Sequence, residues 1–309
     1  KDAPMSTPKN MPSIALAAMH GRRRATLDLA QELERRGFAG LYCASFGDAL
    51  GLCEALALTT KTIHFGTAIS IIYTRHVNDW AQTAALVHEL SGGRFHFGIG
   101  VSHGAIHRHL GITVGKPLAD MRAFVKALRE VPRVGELPPI VLAGLRDPMV
   151  KLAGEVAEGV VFANAARSYM GHSLSVLPPA KQSSADFFVG NMIPTCISDD
   201  VAAAAAVNRK TLSGYVTLPN YREYWKKAGY VEEMEAIEKA LERKDRDALP
   251  GLMSDRWLAD TTLYGSASKV REGFEQWLAA GVRTPILVPS SANGNQMVAM
   301  QEMMDCFAR

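Results

Sequence analysis

Asn78-Asp-Trp-Ala-Gln-Thr-Ala-Ala-Leu-Val-His-Glu-Leu-Ser-Gly-Gly-Arg-Phe-His-Phe-Gly-Ile-Gly100 is a helix that runs through two glycines into a buried strand. Asn78 is expected to cap the helix and Ser91-Gly-Gly93 to stop it, because glycine takes the left-handed backbone that ends helices. Phe95 to Ile99 is then short and apolar on both faces, as a parallel strand covered by helices must be. The same unit recurs on either side. Thr26 to Arg36 places Leu27, Ala30 and Leu33 on one face, with Thr26 as expected cap and Gly37 just past the end. Asp147 with Pro148 behind it reads as a helix opening, and that helix runs to Gly159.

The strands read from this punctuation are Ile14 to Met19, Gly40 to Ala44, Ile63 to Ile69, Phe95 to Ile99, Ile140 to Ala143, Val160 to Phe162, one anchored by Phe187 to Val189, and Ile286 to Val288. Helices are expected around Leu118 to Leu128 and over Ser268 to Ala280. Eight strands alternating with helices predict an α/β protein, a closed (β/α)8 TIM barrel, with an open doubly wound sheet as the alternative. The chain is expected to be one domain, 1–309, with a helical insertion at about 200–260 between strands seven and eight. The aromatics Tyr215, Tyr221, Tyr224, Trp225 and Tyr230 in that insertion predict a small helical sub-core, or else a lid or subunit contact.

Composition narrows the function classes. Hydrophobic residues are 48% and charged residues 21%, which suits a folded globular chain. Lys+Arg 34 against Asp+Glu 31 leaves +3, too little for a nucleic-acid partner. No apolar run approaches the ~18 residues of a membrane span. The cysteines Cys43, Cys53, Cys196 and Cys306 form no CxxC pair, so reduced buried thiols and a cytoplasmic location are expected. No signal-peptide pattern opens the chain, and the residues before Met5 read as an expression scar.

Three motifs are incomplete. Gly100-Val-Ser-His-Gly104 matches the nucleophile elbow of α/β-hydrolases, with Ser102 as nucleophile, but no histidine follows His172 to complete a triad. Gly98 and Gly100 begin a dinucleotide fingerprint whose third glycine falls on His103. His103, His107 and His109 have no carboxylate at useful spacing, so no metal site is expected.

Barrel chemistry gathers where strands end. Those ends offer backbone N–H groups from Gly100 through Val101 and Ser102 to His103, and a helix opening at Gly144-Leu145-Arg146-Asp147. Both suit an anionic group. Arg75, His76, His107, Arg108 and His109 add positive charge to the rim. Phe46, Ile69 and Tyr73 supply flat or apolar walls. One anion-holding edge beside apolar walls suits a phosphorylated aromatic cofactor.

Longer patterns then become significant. Gly66-Thr-Ala-Ile-Ser-Ile-Ile-Tyr-Thr-Arg-His76, Ala81-Gln82, Leu90-Ser-Gly-Gly-Arg-Phe95, Gly98-Ile-Gly-Val-Ser102, Pro139-Ile-Val-Leu-Ala-Gly-Leu145, Leu152-Ala-Gly-Glu155, Ala157-Glu-Gly159, Ala280-Gly-Val282 and Pro285-Ile-Leu-Val-Pro289 together resemble the luciferase-like monooxygenase superfamily. Within it, the chain is similar to the coenzyme F420-dependent oxidoreductases. The resemblance spans most of the sequence. It implies a barrel with a flavin-like ring across the C-terminal mouth and a kinked third strand, commonly with a non-prolyl cis peptide, here Ala68-Ile69. It also implies phosphate contacts at Gly100 to His103 and at Gly144 to Asp147.

Two positions depart from the relatives. Ser45-Phe46 stands where several carry an Asp-His pair, and His103 where some carry a catalytic Glu. The sugar-phosphate and alcohol chemistries of relatives are therefore not carried over. The expected activity is hydride exchange between coenzyme F420 and a small-molecule substrate. His103 and Tyr73 are the candidates to donate a proton or polarise a carbonyl. His20 and Phe46 are expected on the substrate side. The alternatives are an FMN-dependent monooxygenase on the same fold, a serine hydrolase, and a non-catalytic member. A homodimer is expected.

Overall fold

The computed structural model describes residues 11–17, 19–45 and 47–308. Its sheet contains β1 (Ser13–Leu16), β2 (Gly40–Cys43), β3 (His64–Thr67), β4 (Ser70–Ile71), β5 (Phe95–Gly100), β6 (Ile140–Ala143), β7 (Gly159–Ala163), β8 (Phe188–Ile197), β9 (Leu263–Gly265) and β10 (Thr284–Ser290). All pairings are parallel. The ladder runs β1-β2-β3-β5-β6-β7-β8-β10 and returns from β10 to β1, so the sheet closes into an eight-stranded barrel wrapped by helices. Closure overturns the open-sheet alternative. β4 continues the third barrel strand after a break, and β9 adds to the far end of β8.

Several boundaries differ from the sequence reading, each for a local reason. The first helix begins at Arg23 rather than at a Thr26 cap, and Thr26 Oγ1 instead donates back to the carbonyl of Arg22 at 3.0 Å. Asn78 lies inside the helix Val77–Leu90. The cap is His76, whose Nδ1 accepts from the Asn78 amide at 3.2 Å. Asp147 is the first helical residue and Arg146 the cap, without a side-chain bond to the helix. β8 runs ten residues because neighbours flank it along its length: β7, β10 and then β9. A whole helix, Ala49–Thr59, was invisible in the periodicity because it is apolar nearly all round. Asp48 caps it by accepting from the Gly51 amide at 3.0 Å.

Arg94, after the two glycines, is a buried latch. Its guanidinium donates to the carbonyls of Ser91, Ile63, Ala57 and Thr60 and to Thr60 Oγ1, at 2.8–3.2 Å, and lies over the Phe65 ring. One side chain thus ties two helix ends to the start of β3. Glu34 holds the same corner, accepting from the amides of Lys61, Thr62 and Ile63.

The insertion between β8 and β10 contains the helices Val201–Leu212, Pro219–Lys227, Val231–Glu242, Leu249–Leu252 and Asp255–Thr261. Its aromatics form the sub-core, with Trp225 and Trp257 edge to face at 4.9 Å. They also bond the barrel: Trp225 Nε1 donates to the carbonyl of Asn164 at 3.1 Å, and Tyr224 Oη accepts from the Ala166 amide at 3.1 Å. Asp260 accepts from Ser168 N, Ser168 Oγ and Tyr230 Oη at 2.6–2.9 Å. The insertion is pinned to the loop after β7.

Inside the barrel, the two ends differ. Toward the strand C-termini the inward residues are small or aliphatic: Ala68, Ile69, Ala143, Met192 and Val288. Toward the N-termini three rings pack together, with Phe188 5.5 Å from Tyr42 and 5.2 Å from His96. Tyr42 Oη lies 3.3 Å from His96 Nδ1. Burial, reinforced by His64 and His88, lowers the His96 pKa to about 4. An unfolded histidine titrates near 6.5, so below that pH the unfolded chain takes up a proton that the fold refuses. Stability is therefore full above pH ~6.5 and falls as pH drops toward 4, by up to about 3 kcal/mol from this residue. Thermal melts of wild type and His96→Phe across pH 4–7 test this, and the variant should show a flatter dependence over that window.

Candidate functional site

The C-terminal mouth is shaped by an interruption of the third strand. β3 ends at Thr67, whose Oγ1 donates to the carbonyl of Gly98 at 2.6 Å. A Cβ at Gly98 would sit 1.8 Å from the Thr67 carbonyl oxygen, so only glycine allows this approach. The chain turns through Ala68-Ile69, joined by a cis peptide bond, and resumes as β4, pairing Ser70 with Ile99 and Ile71 with Gly100. Ser45 Oγ donates to the carbonyl of Ile69 at 2.8 Å. The Ile69 side chain lies over Gly100, where a Cβ would meet Ile69 Cδ1 at 2.7 Å and Ala143 Cβ at 2.9 Å. Ala68, Ile69, Gly100 and Ala143 thus make a shallow apolar floor.

After β5 the chain passes through half-buried Val101 to Ser102, which has positive φ (62°), and to His103, which caps the short helix Gly104–Leu110. His103 is half-buried, and its pKa is lowered by burial first and by His107 second, so the ring is neutral at neutral pH. His107 Nε2 donates to the carbonyl of Val101. No histidine ring among the described residues hydrogen-bonds Ser102, and no group of three or more His, Cys, Asp or Glu could hold a metal there. The loop presents backbone, not a nucleophile with its base.

Tyr73 projects to the same loop, its ring edge-on to His107 at 5.8 Å. Its hydroxyl donates to Asp120 Oδ2 at 2.7 Å, and that oxygen also accepts from the Gly115 amide at 2.9 Å. Burial and the Asp120 charge push the phenol pKa well up. In this arrangement Tyr73 holds the 111–117 connection against the mouth.

The loop after β6 makes the opposite edge. The Gly144 amide donates to the carbonyl of Val161 at 3.0 Å, Leu145 is half-buried, and Arg146 is exposed with no ion pair among the described residues. Asp147 Oδ2 accepts from His172 Nε2 at 3.1 Å, and His172 stacks on Tyr169 at 4.5 Å. In the first turn of the ten-residue helix Asp147–Val156, Pro148 has no N–H and the Met149 and Val150 amides donate to the Arg146 carbonyl at 3.0 and 3.2 Å, so the Asp147 amide is the one left without a partner among the described residues. Arg75 is committed elsewhere, with Asp48 Oδ1 and Oδ2 each at 3.2 Å and Asp79 at 3.6 Å. His76 is committed to capping its helix. His20 is exposed on the turn after β1, and Phe46 lies outside the described residues.

Sequence reasoning noted Asn164 only as a strand end and did not single out Arg167 or Asn191. Asn164 is buried at the end of β7 with positive φ (54°), and its side chain faces the Tyr215 and Tyr221 hydroxyls. Asn191 Oδ1, fully buried on the outer face of β8 beside Phe162, accepts from the Ala165 amide at 3.4 Å. Arg167, half-buried on the following turn, has no ion pair among the described residues. A polar residue at a strand end was the one available signal.

The family model described as luciferase-like monooxygenase matches residues 6–284. The chain belongs to that family. It is 24% identical over 315 residues to a putative coenzyme F420-dependent oxidoreductase of Mycobacterium tuberculosis (strain ATCC 25618 / H37Rv), covering 86% of this chain and 90% of the relative. The structure of a coenzyme F420-dependent tetrahydromethanopterin reductase from Methanopyrus kandleri superposes with a TM-score of 0.76 at 18% identity, covering 96% and 97% of the two chains. The oxygenating constituent of 3,6-diketocamphane monooxygenase from Pseudomonas putida, in complex with FMN, superposes at 0.62 with 16% identity, covering 97% of each. The luciferase-like barrel is therefore shared by proteins that use either cofactor.

Tyr73 offers a test within the site. If its hydroxyl serves as a tether, Tyr73→Phe should lower stability by about 1–2 kcal/mol while leaving cofactor affinity near wild type. Denaturant titration and cofactor titration of the same variant measure both quantities. Lost turnover at unchanged stability would instead assign the hydroxyl to proton transfer.

Proposed function

We propose that the protein is an oxidoreductase that binds coenzyme F420 across its C-terminal mouth and exchanges a hydride with a small organic substrate. The observation that carries this reading is the pairing of a shallow apolar floor with an open anion-holding edge. Ala68, Ile69, Gly100 and Ala143 fit the face of a flat ring. The Gly100 to His103 backbone, with the unpaired Arg146 side chain and the Asp147 amide across the mouth, fits a phosphate. The family relationship and the F420-dependent relative support the same reading.

When bound, the deazaflavin ring supplies a hydride donor or acceptor that does not react readily with oxygen. The protein binds and orients it. Ile69, pressed over Gly100 and held through its carbonyl by Ser45, backs the ring and excludes water from that face. Neutral His103 stands at the edge of the floor, able to hand on a proton or polarise a carbonyl oxygen. His20 and Phe46 belong to the substrate side. Neither sugar phosphates nor the alcohol chemistry of relatives follows, because Ser45-Phe46 and His103 replace the groups those reactions use.

The second reading is an FMN-dependent monooxygenase, favoured by the FMN-bound structure with the same fold. The two separate by charge. F420 carries a phosphodiester and a polyglutamate tail and is more anionic than FMN, so it draws more on unpaired cations at the rim. Arg146→Ala should weaken F420 binding about tenfold or more, with a marked salt dependence, and FMN binding less. Fluorescence titration with each cofactor decides. Unchanged F420 affinity in the variant, or tighter FMN than F420 binding by wild type, transfers the assignment to FMN.

The proposal includes a homodimer in the cytoplasm. Leu58, Leu86 and Leu90 are 71, 51 and 46% exposed near the ends of the neighbouring helices Ala49–Thr59 and Val77–Leu90. Such an apolar group is a natural subunit contact. The four cysteines are buried and free, which fits a reducing compartment, and no helix among the described residues is long and apolar enough to cross a membrane. Leu86→Glu should shift the molar mass in light scattering from dimer to monomer. A wild-type monomer would remove the dimer from the proposal.

A further inference from the structure

At the N-terminal end of the barrel, opposite the mouth just described, the described residues leave an open cleft beside the packed rings. A cavity of about 320 Å³ opens there, bounded by the first residues of β1, β3, β8 and β10. The cleft has room for about ten waters. An apolar cavity of about 150 Å³ already accepts benzene.

The walls are chemically specific. His96 and His64 stack with centroids 5.7 Å apart and planes 22° apart, while Phe188 and Tyr42 complete an aromatic surround. Tyr42 Oη engages His96 Nδ1, so Nε2 of that ring is left for a ligand. The Ser13 hydroxyl borders the same space. The cation at the rim, Arg283, already donates to the carbonyls of Gln182, Ser184 and Phe187. It has no free fork for a carboxylate, and an unpaired anion among these rings would be costly.

We propose that this cavity is a second binding site, for a small, neutral, planar aromatic molecule bearing a hydroxyl or ring N–H. The ring packs among His64, His96 and Phe188, and the polar group bonds the free imidazole nitrogen of His96. The site is independent of the cofactor assignment, since it lies at the other end of the barrel and uses none of the same residues.

Phenol is the test ligand, with cyclohexanol and benzoate for comparison. Binding is measured by calorimetry and located by histidine ring signals in ¹H–¹³C NMR of the full chain. Saturable phenol binding at millimolar concentration or below should shift the His64 and His96 signals and leave those of His103 and His107 in place. Cyclohexanol and benzoate should bind at least tenfold more weakly. His96→Leu should abolish binding. His64→Ala, at an exposed position that the fold tolerates, should weaken it at least fivefold. Absence of saturation, shifts confined to His103 and His107, or unchanged affinity in His64→Ala would overturn the proposal.

Discussion

The geometry of the mouth depends on the contact between Thr67 and Gly98. Because Gly98 has no side chain, the Thr67 carbonyl settles where a Cβ would be, and β3 leans onto β5. The third strand then cannot continue in register. It breaks at Ala68-Ile69 and resumes as β4 beside Ile99 and Gly100. That displacement carries Ile69 across Gly100 and turns a strand end, which would otherwise be one more loop, into the floor of the site. One missing methyl in β5 thus sets both the topology of a neighbouring strand and the surface offered to a ligand.

Such a floor is useful only if its frame is rigid, and the polar contacts are concentrated accordingly. Arg94 fixes the far end of β3 and β5 by bonding carbonyls from two helix ends. A lysine could not do this, since the latch relies on the planar fork reaching several acceptors at once. On the other side, Trp225, Tyr224 and Asp260 hold the insertion against the loop after β7. Those bonds involve largely buried donors and acceptors, which would cost about 1–3 kcal/mol each if they stayed buried without partners. The insertion is therefore part of the wall rather than a free flap.

What was legible in the sequence follows from how local each cause is. Helix ends marked by glycine, such as Gly93 and Gly281, and short apolar strands such as Ile140–Ala143 announce themselves because their determinants are adjacent in the chain. The helix Ala49–Thr59 did not, since a segment buried on most sides loses the polar face that reveals its period. Caps were misplaced where an unusual residue took the role, His76 for Asn78 and Arg146 for Asp147. At the site, the backbone elements at Gly100 to His103 and Gly144 to Asp147 could be placed from strand ends alone. The commitment of Tyr73 to Asp120, 47 residues away, and of Arg75 to Asp48, 27 residues away, could not.

Those long-range commitments redistribute the charge that composition left nearly balanced. Arg75 faces two carboxylates, so the loop after the third strand is electrostatically quiet. Arg146 and Arg167 have no such partners among the described residues, and they follow the fifth and sixth barrel strands, beside the uncapped helix opening. Arg22, Arg23 and Arg24 after the first strand and Arg108 after the fourth likewise have no ion pair among the described residues, so positive potential surrounds much of the rim, while the floor and the loop after the third strand remain apolar or paired. A ligand with an uncharged flat end and an anionic tail would be oriented by that asymmetry before making any specific contact. A uniformly charged mouth would hold the same ligand with less discrimination between its two ends. The orientation of a bound cofactor thus follows less from how many cations the mouth has than from which of them the fold has already paired.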